Sequence, residues 1–499
     1  MINALRFCLN QDPYKTQLAR GVCFVGRLIV QLLGFAGLMG LSTAFFSAMA
    51  SPRLLMSHPT ENPIAPNTDA SLVGAASCSA SGCHNANGAA GTKGSEYSTW
   101  IGADPHAQAF AVLGTPRSKK MLANYKGLDL GQADPQRDPL CLSCHVHPDP
   151  EIKGKAYPDR FSVVDGVGCE ACHGGAAQWV STHYQASWKE LSNREKTKLG
   201  FVDTKDLVTR AETCVRCHVG EKGMDVNHDL LAAGHPRLRF ELSAYQANYS
   251  GRHWRILDEK ARQPDYEWTS WLVGQLATTE AALDLLSHRA SHPDAPWPEL
   301  SEYNCASCHH RIGGDFGQSP SAGKLRFGTW NDIRINPQSL PLAFFGGILG
   351  DDERKGSESL KKLMEKEPQN RDQIRPLAQM LSQKWTNRFE KTKSFAIPVP
   401  DFGQIREWIM AQEKANQDGT SSPSWDKDTQ SYLLLRAYLQ NVKNRDGKVS
   451  PALDKAVSDL GEELGQAFPK GKESIWTSPE KYQANSVRKR FKAIQEALP

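Results

Sequence analysis

The stretch DGVGCEACHGGAAQWVSTH, residues 165 to 183, places two cysteines with two residues between them directly ahead of a histidine, Cys169, Cys172 and His173, and a second histidine, His183, ten positions on. Three more segments repeat the first part of that pattern: CLSCH (Cys141, Cys144, His145), CVRCH (Cys214, Cys217, His218) and CASCH (Cys305, Cys308, His309). Cys-x-x-Cys-His is the spacing of covalent haem attachment. Two thiols add across the two vinyl groups of one haem, and the adjacent imidazole is then held under the iron as its proximal ligand. At the Cys and His frequencies of this chain, chance supplies roughly 0.01 such matches, so four are not accidental.

Working outward, the stretch ASCSASGCHNANG, residues 76 to 88, holds a variant of the motif with four residues between Cys78 and Cys83 before His84. Its intervening residues must loop outward for both sulfurs to reach one haem. With it the chain carries five motifs, and the sequence implies five covalently bound haem c groups. Structural zinc is the rival for paired cysteines, but zinc ribbons do not need His directly after every second Cys. A disulfide closing each Cys-x-x-Cys would span too small a loop to restrain the unfolded chain.

Each iron has a sixth position, and the spare ligands indicate what fills it. Between residues 76 and 315 the methionines are Met121 and Met224, whereas the spare histidines are His106, His147, His183, His228, His235, His253, His288, His292 and His310. Bis-His ligation is therefore expected to dominate. Met/His ligation is what raises haem potential, so this supply points to low or intermediate potentials and to electron transfer.

These residues resemble the tetrahaem cytochrome c-554 family, whose members accept electrons from hydroxylamine oxidoreductase in nitrifying bacteria. The likeness covers about residues 76 to 220: a first Cys motif, then Trp100 and His106, then CXXCHV, GVGCEXCHG, a further His and CXXCH. The resemblance implies that His183 is the distal ligand opposite His84 and that His106 faces His218. It also implies an open sixth position above His145 and a distal ligand from later in the chain for His173. This sequence departs from the family in two ways. The motif at Cys305 is additional, and the family's late distal His has no counterpart. In its place stands NHDLLAAGHPRLRFELSAYQANYSGRHWR, which with WPELSEYNCASCHH resembles larger multihaem relatives.

That block supplies His228, His235 and His253 as candidate distal ligands for His145, His173 and His309. His235 is expected at the entrance of a helix RLRFELSAYQ, where a helix start can aim a ring inward. His288 and His292 lie four apart on one face of WTSWLVGQLATTEAALDLLSHRA, and a solvated helix C-terminus is the favoured reading there. His147 and His310 stand too near their own motifs to reach over the same iron. His58 lies in a Pro-rich tether.

The organisation follows the motifs. Residues 1–50 contain Arg20 and Arg27 ahead of an uncharged run from Leu28 to Ala50, read as a signal peptide or a membrane anchor. Cys8 and Cys23 precede it and are left without a role. Residues 51–75 are a linker, 76–315 a five-haem domain with little sheet, 316–350 a Gly/Pro-rich linker, and 351–499 a helical cover or docking bundle lacking Cys and His. The fold class is mainly α. Helix starts in the bundle are expected at Asp401, Ser424, Ser450-Pro451 and Ser478-Pro479-Glu480. Leu453, Val457, Leu460, Leu464 and Phe468 recur at helical spacing.

Net charge is +4 overall. It divides into 25 Lys and Arg against 29 Asp and Glu in residues 76–315, and 29 against 23 in residues 316–499. No basic tract suggests nucleic acid. The expected function is an exported electron carrier, periplasmic or anchored to the cytoplasmic membrane and facing the periplasm, working between a redox-protein donor and acceptor. The alternative is an oxidoreductase acting on a small nitrogen or sulfur species at an open haem, for which no catalytic Lys, Tyr or Asp motif stands out.

Overall fold

The computed structural model describes residues 72–86, 88–148, 161–249, 263–293, 296–303, 350–392, 398–417, 424–465 and 482–499. The fold is mainly α, and the described residues contain no strand; an isolated bridge joins Glu221 and Met224. The fifth motif (Cys305, Cys308, His309), His253, His310, the N-terminal apolar run and the Ser478-Pro479-Glu480 start lie outside the described residues.

The first part is built from short helices: α1 Glu96–Ala103, α2 Ala109–Leu113, α3 Pro116–Lys126, α4 Pro139–His145, α5 Cys169–His173, α6 Ala186–Glu190, α7 Asn193–Lys198 and α8 Leu207–His218. Their ends are set by local chemistry. Thr115 caps α3 through Oγ1, which accepts from Ser118 N, and Pro116 opens its first turn. Asp138 and Asp206 cap α4 and α8 in the same way. Apolar packing here is divided among small clusters, such as Ala75, Trp100 and Ala107; Phe110, Leu113 and Val146; and Ala176, Trp179 and Trp188. Cys141 and Cys169 pack at the margins of such clusters. Cores this small do not hold a segment of this length by themselves, so the segment fits a chain whose bound groups complete its interior.

The remaining helices are α9 His228–Ala232, α10 Leu242–Tyr249, α11 Tyr266–Ser291, α12 Asp351–Lys366, α13 Arg371–Thr392, α14 Phe402–Gln417, α15 Trp425–Asp446, α16 Pro451–Gly465 and α17 Ala484–Ala497. One continuous core joins α8, α10 and α11 to the C-terminal helices, from Val208 and Val215 through Trp268, Leu272 and Leu276 to Trp385, Leu435 and Ile494. Packing thus runs across the boundary expected at residue 350. α11 is its axis: Trp268 is fully buried, donates from Nε1 to Pro398 O at 2.9 Å and packs edge-on to Tyr438. The bundle starts at the residues chosen for it. Asp401 and Gln404 cap each other's backbone at 2.9 and 2.8 Å, Ser424 accepts from Lys427 N, and Ser450 accepts from Leu453 N. Leu453, Val457, Leu460 and Leu464 are all buried.

The helix expected from Arg237 begins instead at Leu242, and residues 235–241 are non-helical. Tertiary contacts pull that stretch straight. Arg237 pairs with Asp426 at 2.7 Å, Phe240 lies on the His218 ring, and the Glu241 carboxylate caps α10 by accepting from Ser243 N and Ala244 N. Charge pairing across the core has both polarities, since Arg445 also lies 3.7 Å from Asp265. The half-exposed Arg445–Asp265 pair contributes about 0–1 kcal/mol, and the continuous apolar core is the larger tie between the bundle and the rest.

Candidate functional site

Three motifs sit at helix C-termini, with His145, His173 and His218 as the last residues of α4, α5 and α8. Helical spacing puts the two sulfurs of each motif one turn apart on one face, with the ring beside them. The first motif differs as its spacing requires. Cys78 ends a short 3-10 turn, Ala75–Cys78, and residues 79–82 bulge outward, leaving Cys83 exposed and open space around Gly82.

The histidine rings share one feature. Nδ1 of His145 meets Ala109 O, that of His183 meets Val180 O and that of His235 meets Pro236 O, each at 2.8 Å. Nδ1 of His84 meets Glu96 Oε2 at 3.2 Å, and that of His106 meets Asp104 Oδ1 at 3.1 Å. Carbonyls and carboxylates accept hydrogen bonds, so Nδ1 carries the proton and Nε2 is left with its lone pair, as in a metal-binding imidazole with an oriented outer partner. Nδ1 of His173 lies 3.5 Å from Thr204 Oγ1, and its ring lies over Phe201.

Two pairs of rings face each other. His84 and His183 have centroids 6.1 Å apart with planes 11° from parallel; His106 and His218 also stand 6.1 Å apart, with planes at 82°. An imidazole Nε2 lies ~1.1 Å from its ring centre and binds a transition metal at ~2.0 Å, so two rings trans on one iron have centres roughly 6.2 Å apart. The residues present therefore fit a haem iron between each pair. Burial, and after it the His106 ring, pushes His218 down to about 4, and burial lowers His145 and His235. All three are neutral imidazoles near neutral pH, the form that binds metal.

The thiols show how the motifs are grouped. The Cys78 and Cys169 sulfurs lie together, as do those of Cys144 and Cys217, so the first motif adjoins the third and the second adjoins the fourth. Cys214 feels the Cys172 thiol, which links the third motif to the fourth. Burial pushes Cys141 and Cys214 up to about 12, so neither offers a thiolate near neutral pH. Among the described residues no group of three or more His, Cys, Asp or Glu is arranged to hold a metal ion by itself.

The stretch 165–183 ties these parts together. Val167 N donates to His106 O at 3.0 Å, and Trp100 Nε1 donates to Val167 O at 3.1 Å. Gly166 has φ +67°, and a Cβ there would stand 2.5 Å from His106 O; Gly174 has φ +78°, and a Cβ there would stand 2.0 Å from Gly200 O. Only glycine serves at either position. Glu170, 3 % exposed, accepts from Val73 N, Gly74 N and Ala176 N at 2.8–2.9 Å, fastening the strand of chain that leads into Cys78 to the third motif. Sequence reasoning missed Glu170, Glu96 and Asp104. The last had a local signal, an N-cap acid in Asp-Pro-His whose Oδ1 takes both the backbone and ring N–H of His106.

The other candidates are dispersed. His228 opens α9, its N–H donating to Glu299 Oε1 at 2.8 Å. His147 packs edge-on to Phe161. His288 and His292 close α11 with rings 4.1 Å apart, His292 on the exposed C-cap.

Residues 77–174 match the family model described as cytochrome c554 and c-prime. The chain is also similar to cytochrome c-554 of Nitrosomonas europaea, 28% identical over 124 residues, which make up 24% of this chain and 50% of that protein. The chain thus spans about half the length of the curated relative it matches. No solved structure matches it at a significant level. Residues 77–174 thus combine the sequence pattern of the cytochrome c554 family with the cysteine and histidine geometry described above.

Proposed function

We propose that this protein is an exported five-haem electron relay that passes electrons one at a time between a donor and an acceptor protein through mostly bis-His haems. The observation that carries the reading is the pair of facing rings, His84 with His183 and His106 with His218, each at 6.1 Å. Two imidazoles keep an iron six-coordinate in both oxidation states, which favours electron transfer over substrate binding. The proximal ligands are His84, His145, His173, His218 and His309, and the thioether links come from Cys78, Cys83, Cys141, Cys144, Cys169, Cys172, Cys214, Cys217, Cys305 and Cys308.

Haem c supplies the one-electron couple, and the chain tunes it. The carboxylates of Glu96 and Asp104 on the Nδ1 protons of His84 and His106 make those rings more electron-rich than the carbonyl-bound His145 and His183. That lowers the potentials of the first and fourth sites relative to one with only carbonyl partners. The adjacency of Cys78 to Cys169 and of Cys144 to Cys217 brings haem edges close enough for transfer between motifs. The apolar run 28–50 after Arg20 and Arg27 supports export, and covalent haem attachment fits a periplasmic site. The donor and acceptor are redox proteins of unassigned identity; the hydroxylamine oxidoreductase partnership is not carried over.

Pyridine haemochrome analysis with a redox titration tests the reading. Five haems per chain, titrating as one-electron waves below the range of Met/His cytochromes, are expected. A protein without Soret absorbance, or with fewer haems than motifs, sinks it.

A further inference from the structure

We propose that His235 fills the sixth coordination position of the haem held by His145, closing the iron that the family pattern leaves open. The proposal rests on the reading of CLSCH as a haem site. Its physical basis is helix α3, which touches the surroundings of both residues. Leu122 and Ala123 of α3 cluster with Cys141 of the motif. From the same helix, Arg117 Nη2 donates to Gly234 O at 3.1 Å, and Met121 Cγ lies 3.5 Å from where a Gly234 Cβ would stand. Tyr125 Oη accepts from Asn227 Nδ2 at 3.4 Å, so the whole 227–235 loop is docked against α3.

The chain then turns sharply to present His235. α9 ends at Ala232, His235 N donates to Leu230 O at 3.1 Å, and Gly234 takes φ +114°, which a side chain would resist. The ring is half-buried, and its Nδ1–H is spent on Pro236 O, as that of His145 is spent on Ala109 O. Both rings therefore keep Nε2 for a shared partner. The function follows: with this position filled, the second site relays electrons and does not take up a small nitrogen or sulfur species.

The test uses the full-length holoprotein, its haem content fixed first by pyridine haemochrome. EPR of the oxidised form and CO titration of the reduced form then count open haems. His235→Ala is expected to add one high-spin haem and one bound CO per chain over wild type. His235→Met, which preserves a ligand, is expected to keep the low-spin count and raise one haem's potential, because a thioether replaces an imidazole. Met121→Leu, a variant of the other nearby donor, is expected to change neither count. If His235→Ala adds no CO site while Met121→Leu does, or if neither does, the assignment is overturned. If His235→Ala does not accumulate with its haems, an unchanged potential in His235→Met overturns it. His183→Ala separates this from failure of the haem reading, since it must open the first site whatever faces His145.

Discussion

The His84 and His183 rings lie within 11° of parallel across a 6.1 Å gap, while the equally spaced rings of His106 and His218 stand at 82°. Ligand-plane angle sets how the dxz and dyz orbitals of a low-spin iron split. Parallel planes split them and give a rhombic EPR spectrum; perpendicular planes leave them nearly equal and give one signal at large g. The first site should therefore contribute a rhombic component and the fourth a large-g component. His183→Ala should remove only the rhombic one and His106→Ala only the large-g one.

Gly166→Ala should act on one pair and spare the other. Its Cβ would stand 2.5 Å from His106 O at a φ of +67°, so the turn that carries His106 has to move. Strain and displacement of this kind cost about 1–3 kcal/mol. The large-g EPR component should broaden or vanish while the rhombic component stays, which a general loss of stability would not produce.

Glu170 touches no ring, yet it holds the first and third motifs together through three backbone donors. Glu170→Ala leaves those N–H groups without their acceptor, at about 1–3 kcal/mol for each that stays buried. A fall in unfolding free energy on the order of 4 kcal/mol in urea titration is expected, with the first haem's EPR signal the first to become heterogeneous.

Removing residues 351–499 should not free a soluble haem domain. α11 would lose the partners of Trp268, Leu272, Leu276 and Leu283, each 0 % exposed. Uncovering such side chains costs about 1.5–3 kcal/mol apiece, enough to unfold a domain of ordinary stability. The truncated chain is expected to aggregate or be degraded; a monodisperse product with full haem content would show that the bundle is dispensable.

What could be read in the sequence was local. Cys-x-x-Cys-His spacing and the caps at Asp401, Ser424 and Ser450 each depend on neighbours within a few residues, whereas the order Trp100, His106, His183 was legible only through the family resemblance. What escaped was set by distant partners. Glu170 finds Val73 and Gly74 nearly a hundred positions away, and Arg237 leaves its expected helix for Asp426. Leu272, Leu276, Thr279, Leu283 and Leu286 recur along one face of α11 and are all buried. Its N-terminal half is buried all round, however, from Trp268 through Gly274. A helix apolar on every face belongs in a core, and the run WTSWLVG carried that signal.

Glu241 should give the protein a measurable loss of stability with rising pH. Burial pushes its carboxyl from 4.5 up to about 7, against the smaller pull of the Ala244 and Ser243 N–H groups. Between pH 4.5 and 7 the folded chain keeps this proton and the unfolded chain has released it, so unfolding is favoured as pH climbs through that window. The full effect is on the order of 3 kcal/mol, present above pH 7 and absent below 4.5. Asp428, which burial pushes to about 6, acts with the same sign. Urea midpoints of wild type are therefore expected to fall from pH 5 to pH 8. In Glu241→Gln, whose amide oxygen can still accept from the α10 N–H groups, the fall should shrink to the remainder that Asp428 supplies. An equal fall in both proteins would mean that Glu241 is ionised in the folded state throughout.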